Sequence, residues 1–205
     1  MKVVIIDYGM GNLGSVRRAF EDCGANELEV CQNPSALDDA GHVVLPGVGA
    51  FAQGMRNLES RGWIGAIGKA VLERHIALLG ICLGMQLLAD RGLEGGQVQG
   101  LGFIPGEVER LQPKGKDERV PHVGWNEVHW ANKNPLSDGI VDATDFYFVH
   151  SYHFVAKDRQ NVVGTTPYCG EFASVVAKDK IFGVQFHPEK SQRAGFQIIQ
   201  NFLRA

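Results

Sequence analysis

Three side chains in this sequence have the types and spacing to do chemistry together. Cys82 lies in Gly80-Ile81-Cys82-Leu83-Gly84, the Gly-x-nucleophile-x-Gly pattern of a strand-to-helix elbow, with a thiol where serine hydrolases carry a hydroxyl. A thiol at a helix N-terminus faces unpaired N–H groups, which favour the thiolate, the nucleophilic form. Alone, the five residues read equally well as a buried cysteine acting as a small hydrophobe. His187 and Glu189, in Gly183-Val-Gln-Phe-His-Pro-Glu189, shift the balance. If both continue an extended strand, their side chains point to one side, and Pro188 stiffens the step between them. The carboxylate then binds one imidazole nitrogen while the other faces the thiol. That is the nucleophile, base and orienter relation of a triad, in chain order Cys, His, Glu. A metal held by the same three residues is the competing chemistry, but no second pair of ligands is offered.

Such residues need strands that end where they stand. The apolar run Ile76 to Ile81 reads as a buried strand, and Met85, Leu88 and Ala89 supply a helical stripe after it. The two elbow glycines let the backbone turn without a Cβ clash. Upstream, Lys2 to Asp7 is a strand covered on both faces. Asn12 caps a helix with Leu13, Val16, Phe20 and Cys23 on one face, and Gly24 ends it. A strand over Leu28 to Cys31, a short helix over Pro34 to Ala40 and a strand over His42 to Leu45 follow. Helical segments carrying Phe51, Met55 and Leu58, then Ile64, Ile67 and Val71, lead to the elbow. This alternation implies an α/β sandwich, one domain over residues 1–205, with a mainly parallel, mixed central sheet and its ligand site at the carboxyl ends of the strands. Cys82 and the loop Pro46-Gly-Val-Gly49 both fall there. That loop can aim N–H groups as an oxyanion site requires, and it also reads as an ordinary Pro-Gly turn.

Beyond Gly95-Gly96 the pattern turns to short alternating runs: Glu107 to Leu111, Val123 to Trp130, Phe146 to Tyr152, Val162 to Thr165, Ser174 to Ala177 and Ile181 to Phe186. The second half is therefore β-rich. A closing helix, Gly195 to Leu203, presents Phe196, Ile199 and Phe202 to the core, and Lys114 to Arg119 reads as a solvated polar loop.

Composition narrows the function. The net charge of -3 is scattered over both signs, so no nucleic-acid footprint or polybasic membrane surface is expected. Apolar runs are far shorter than a bilayer span, and the N-terminus enters a strand rather than a signal peptide, so a soluble, cytoplasmic protein is expected. Cys23, Cys31, Cys82 and Cys169 show no Cys-x-x-Cys spacing, which argues against a disulfide framework and a zinc site, and all but Cys82 are expected in the core. Gly9 to Gly14 matches G-x-G-x-x-G between a strand and a helix, with Glu29 as a distant acid. Against a dinucleotide, Asp7 and Tyr8 crowd the turn and Cys82 is left unexplained. His42, His75, His129 and His153 read as surface residues. His122 and His150, among aromatics at strand positions, read as core or site.

These residues resemble a known family. Gly80 to Gly84 with Gln86, together with Gly183 to Glu189, are similar to the signature of class I, triad-type glutamine amidotransferases. Asp7-Tyr-Gly-Met-Gly-Asn-Leu13, Leu45-Pro-Gly-Val-Gly-Ala-Phe51, Pro121-His-Val-Gly-Trp-Asn126, Phe148-Val-His-Ser-Tyr152 and His187-Pro-Glu-Lys-Ser191 resemble, from end to end, the glutaminase subunits of imidazole glycerol phosphate synthases. Pro-Gly-Val-Gly in place of Pro-Gly-Gly is typical of that branch. The resemblance implies a glutamine amidotransferase type 1 domain with a flavodoxin-like core and neither cofactor nor metal. Cys82 would attack the glutamine amide, His187 would carry the thiol proton to ammonia, and Glu189 would fix the imidazole. The N–H of Leu83 and one from Val48 and Gly49 would meet the oxyanion; Gln86, Glu94, Ser151 and Tyr152 would hold the substrate. The implied partner is a (β/α)8-barrel cyclase that receives the ammonia, with Gly9 to Gly14 as a partner-facing turn. A glutaminase serving chorismate amination or pyridoxal phosphate synthesis, and a free-standing γ-glutamyl hydrolase, are the alternatives. An inert scaffold is disfavoured because all three triad residues are intact.

Overall fold

The first strand, β1 (Lys2–Ile6), shows how the molecule is layered. Its side chains alternate. Val3 and Ile5 pack against residues of α1 (Leu13–Asp22) and α5 (Gln192–Phe202), while Val4 and Ile6 pack with α2 (Phe51–Ser60) and α3 (Trp63–Gly68). Because both faces are covered, the strand is apolar throughout rather than alternating. The structure, a computed structural model, describes residues 2–205.

The centre of the sheet runs β2 (Glu27–Cys31), β1, β3 (His42–Gly47), β4 (Ala77–Cys82) and β13 (Ile181–Val184), all parallel. This is the doubly wound order of flavodoxin-like folds, whose ligands sit outside the carboxyl ends of the strands where the winding reverses. Beyond β13 the sheet continues antiparallel through β12 (Phe172–Lys178), β10 (Tyr152–Ala156) and β7 (Gly106–Arg110); the short β5 (Arg91–Gly92) then pairs parallel to β7 and antiparallel to β6 (Val98–Gln99). From β12, β11 (Val162–Thr166) leads to a long hairpin of β8 (His122–Trp130) and β9 (Thr144–His150). The elbow helix α4 (Leu83–Leu87) lies directly after β4. Among the described residues no helix is long and apolar enough to cross a membrane.

Several boundaries depart from the sequence reading. The apolar run Phe146 to Tyr152 is two strands: β9 pairs with β8, β10 with β7 and β12, and Ser151 stands between them. No Gly or Pro punctuates the sequence there, so the pattern does not reveal the change of partners. The helix expected over Pro34 to Ala40 is a single 3-10 turn, Pro34–Leu37, capped by Asn33. His42 is buried in the core against Phe202, at a ring distance of 5.0 Å, not at the surface. Cys23 and Cys31 are only half-buried. The Lys114 to Arg119 loop is more than solvated: Glu118 accepts hydrogen bonds from the N–H groups of Gly115 and Cys169, at 2.9 and 2.8 Å. These and further backbone donors hold its carboxyl below the usual range.

Candidate active site

β4 carries Cys82 to the carboxyl edge of the sheet, where the residue adopts φ 54°, ψ −108°. That is a strained conformation for a side chain with a Cβ, of the kind concentrated at functional sites. The elbow glycines serve close approach. A Cβ on Gly80 would stand 2.7 Å from the Gly84 carbonyl, and one on Gly84 would collide with the Leu45 carbonyl oxygen. Thus the helix presses onto β3 and β4, and the left-handed turn falls on the cysteine itself. Gly47 is small for a similar reason: the hydroxyl of the fully buried Tyr8 occupies the space of any Cβ there.

His187 and Glu189 meet, though not on a strand. β13 stops at Val184, and His187 precedes a 3-10 turn, Pro188–Lys190, with the proline at its start. The turn, not the pleat, brings His187 Nδ1 within 2.8 Å of Glu189 Oε1, with both side chains almost wholly buried. Backbone ties fix this turn: His187 N–H donates to the Tyr147 carbonyl at 2.9 Å, and the Ser191 hydroxyl donates to the His187 carbonyl at 2.7 Å. The remaining ring nitrogen, Nε2, is buried without a hydrogen-bond partner. Burial opposes the imidazolium, but interaction with Cys82 and then Glu189 prevails and raises the His187 pKa to about 10. The thiol itself points to the Val149 carbonyl at 3.9 Å, the loose arrangement common in a site without its substrate.

Cys82, Leu83, Val48, Gly49, Gln86, Glu94, Ser151 and Tyr152 line one cavity of about 310 Å³, with Pro121, Val149 and His150. Every expected oxyanion and substrate residue is therefore brought together around the cysteine. His187 and Glu189 border a smaller neighbouring recess with Gly47, Val48 and Ile81, and Val48 is common to both. Glu94 also supports the fold, since one of its carboxylate oxygens accepts from the Phe51 N–H at 2.8 Å and closes the start of α2, where Ala50 offers no side-chain cap. Gln86 donates to the Tyr152 carbonyl at 2.9 Å and to Gln185 at 3.1 Å. Gln185 escaped the sequence reading, yet its amide reaches the Cys82 sulfur at 3.6 Å. An uncharged polar residue inside an apolar strand run was the available signal, since buried polar groups are the informative exceptions.

The glycine turn before α1 has no open phosphate cradle at its start, because Gly9 N–H already donates to Asp7 at 3.0 Å. Among the described residues no group of three or more His, Cys, Asp or Glu could hold a metal ion.

His122 and His150 are both buried, their ring nitrogens 3.0 Å apart. Burial lowers their pKa values to about 4 and about 3. In the unfolded chain each titrates near ~6.5, so the unfolded state binds more protons below that value. Their contribution to stability is complete above it and is lost as pH falls through the folded values. The urea midpoint is expected to drop steadily between about pH 6.5 and 4; a midpoint unchanged over that range would show that the pair is not buried in neutral form.

A strained cysteine elbow at the carboxyl edge of a doubly wound sheet, beside a buried His-Glu pair, defines a cysteine enzyme of the triad class. The family model "Glutamine amidotransferase class-I" matches residues 4–205. An imidazole glycerol phosphate synthase subunit HisH from Moorella thermoacetica is 51% identical over 98% of this chain and 93% of the relative. The subunit HisH 2 of Methanococcus maripaludis is 43% identical, covering 98% of each chain. The chain thus belongs to the class I glutamine amidotransferase family and, within it, to the HisH subunits. Among solved structures, PurLQS from Thermotoga maritima superposes with TM-score 0.77 at 20% identity, covering 99% of this chain and 97% of that one, a likeness of fold.

Proposed function

We propose that the chain hydrolyses glutamine at Cys82 and delivers the ammonia to a (β/α)8-barrel cyclase, as the glutaminase subunit of an imidazole glycerol phosphate synthase. The observation that carries this reading is the buried His187–Glu189 pair, at 2.8 Å, acting on a cysteine held at a positive φ. The Cys82 sulfur bonds to the side-chain carbonyl carbon of glutamine. His187 holds the thiol proton and passes it to the nitrogen as the C–N bond breaks, releasing ammonia. Water then attacks the thioester, the C–S bond breaks, and glutamate leaves with the thiol restored. Glu189 keeps Nδ1 protonated and Nε2 turned to the chemistry.

The oxyanion meets the N–H of Leu83, the first residue of α4, whose opening N–H groups lack intrahelical acceptors. A second donor comes from the Val48–Gly49 loop, whose Gly49 sits at φ +116°. Gln86, Glu94, Ser151 and Tyr152 hold the amino-acid end of the substrate. Free ammonia protonates in water, so a partner must cover the mouth. Exposed apolar side chains stand ready for one: Val48 on the cavity rim, and Val123 and Trp125 on the strand leading from Pro121.

Glutamate release by the purified chain tests the reading, alone and with the barrel cyclase plus its nucleotide substrate. Strong stimulation by the pair is expected. Equal, high activity without the partner would move the protein to a free-standing hydrolase.

A further inference from the structure

An unbroken chain of hydrogen bonds runs from β8 to the Cys82 sulfur. Asn126 Nδ2 lies 3.3 Å from His122 Nε2, His122 Nδ1 lies 3.0 Å from His150 Nε2, and His150 Nδ1 lies 2.8 Å from the Tyr152 carbonyl oxygen. The same oxygen accepts from Gln86, which also donates to Gln185, and Gln185 reaches Cys82. The β8–β9 register creates the central link by setting His122 opposite His150. Ring packing holds it: His122 stacks on Tyr168 at 3.9 Å and on Phe148 at 4.9 Å.

A single placement of protons satisfies the first part of this chain. A carbonyl only accepts, so His150 carries its proton on Nδ1. Burial keeps that ring neutral, so its Nε2 offers a lone pair, and His122 must donate to it from Nδ1. His122, neutral by burial too, then accepts at Nε2 from the Asn126 amide. The orientation of that amide is set in turn, because Asn126 Oδ1 accepts from the Glu127 N–H at 2.9 Å. Each link donates toward the cavity.

The relay ends at a change of sheet partners. β9 stops at His150 and β10 begins at Tyr152, with different partners on either side of Ser151. We propose that His122 and His150 are positioning residues of the glutamine site: they pin the Tyr152 carbonyl, and with it the Ser151–Tyr152 wall and the Gln86–Gln185 pair behind Cys82. A fully satisfied buried network can select one arrangement in this way. The inference rests on the glutaminase reading above, and its tests are chosen to fail separately from it.

The first test needs no variant and no turnover. Long-range proton–nitrogen NMR spectra of the imidazole rings in the wild-type chain at neutral pH are expected to show both His122 and His150 protonated on Nδ1, the minor tautomer of free imidazole. An Nε2–H signal at His150 would overturn the relay. The second test uses the complex and exploits side-chain geometry: the amide nitrogen of Asn stands near the place of imidazole Nδ1, that of Gln near Nε2. His150→Leu and His150→Gln are each expected to lower kcat/KM for glutamine about tenfold, the fold-change of roughly one hydrogen bond, mainly through KM. His150→Asn should restore it to within about threefold. Gln matching or exceeding Asn, or Leu matching wild type, would make the ring mere filling and sink the proposal. A wild-type complex that releases no glutamate would instead reject the glutaminase reading.

Discussion

Cys82→Ala is expected to abolish glutamine-dependent synthesis in the complex, by roughly 10⁴-fold or more, while leaving synthesis from added ammonium salt within about twofold of wild type. The size follows from the role. Without the sulfur no thioester forms, and the elbow presents no other nucleophile in its place. The sparing of ammonium-dependent synthesis follows from the proposed division of labour, in which this chain supplies the partner with ammonia alone. The fold should tolerate the change: alanine keeps the Cβ that the positive-φ position already accommodates, and the thiol's hydrogen bonds to the Val149 carbonyl and to Gln185 are long, 3.9 and 3.6 Å. Parallel assays with glutamine and with ammonium salt check this. Loss of both activities would show that the site is needed for more than ammonia supply.

Glu189→Gln is expected to lower glutamine-dependent kcat by about 10²–10⁴-fold, with the alkaline limb of its pH profile moved to lower pH. Glu189 Oε1 is the partner of His187 Nδ1, and its other oxygen is buried without one, so the carboxylate is devoted to the imidazole. Gln preserves the shape but removes the charge. The His187 pKa of about 10 is reached against burial, through Cys82 first and Glu189 second. Removing the second support lets burial gain, so the imidazolium loses its proton at lower pH. The proton needed by departing ammonia is then missing earlier on the alkaline side. Full pH profiles of kcat for the two proteins measure the shift. An unchanged alkaline limb would mean that His187 is not the group it reports.

Chemistry of this kind is legible in a sequence because few residue types perform it. A cysteine between glycines after an apolar run, and a histidine followed at two residues by a carboxylate, imply the elbow and the pair without coordinates. The doubly wound half was legible too, since β1, β3 and β4 are apolar runs buried on both faces, with β2 as the exposed edge strand. Loop glycines and the Leu45 to Phe51 motif pointed to the cavity rim for local reasons: only certain residues permit those turns.

Tertiary structure decided matters that depend on which groups meet. His187 and Glu189 pair through a 3-10 turn instead of along a strand, because β13 ends at Val184 and Pro188 starts the turn. Ser151 marks a change of sheet partners, although no Gly or Pro interrupts the sequence there. Gln185 and the His122–His150 pair became visible only when β13 was laid beside β4 and β8 beside β9. A sequence records local conformational preference and the period of burial. The identity of a buried hydrogen-bond partner is set by register between distant strands, and only the folded chain supplies that register.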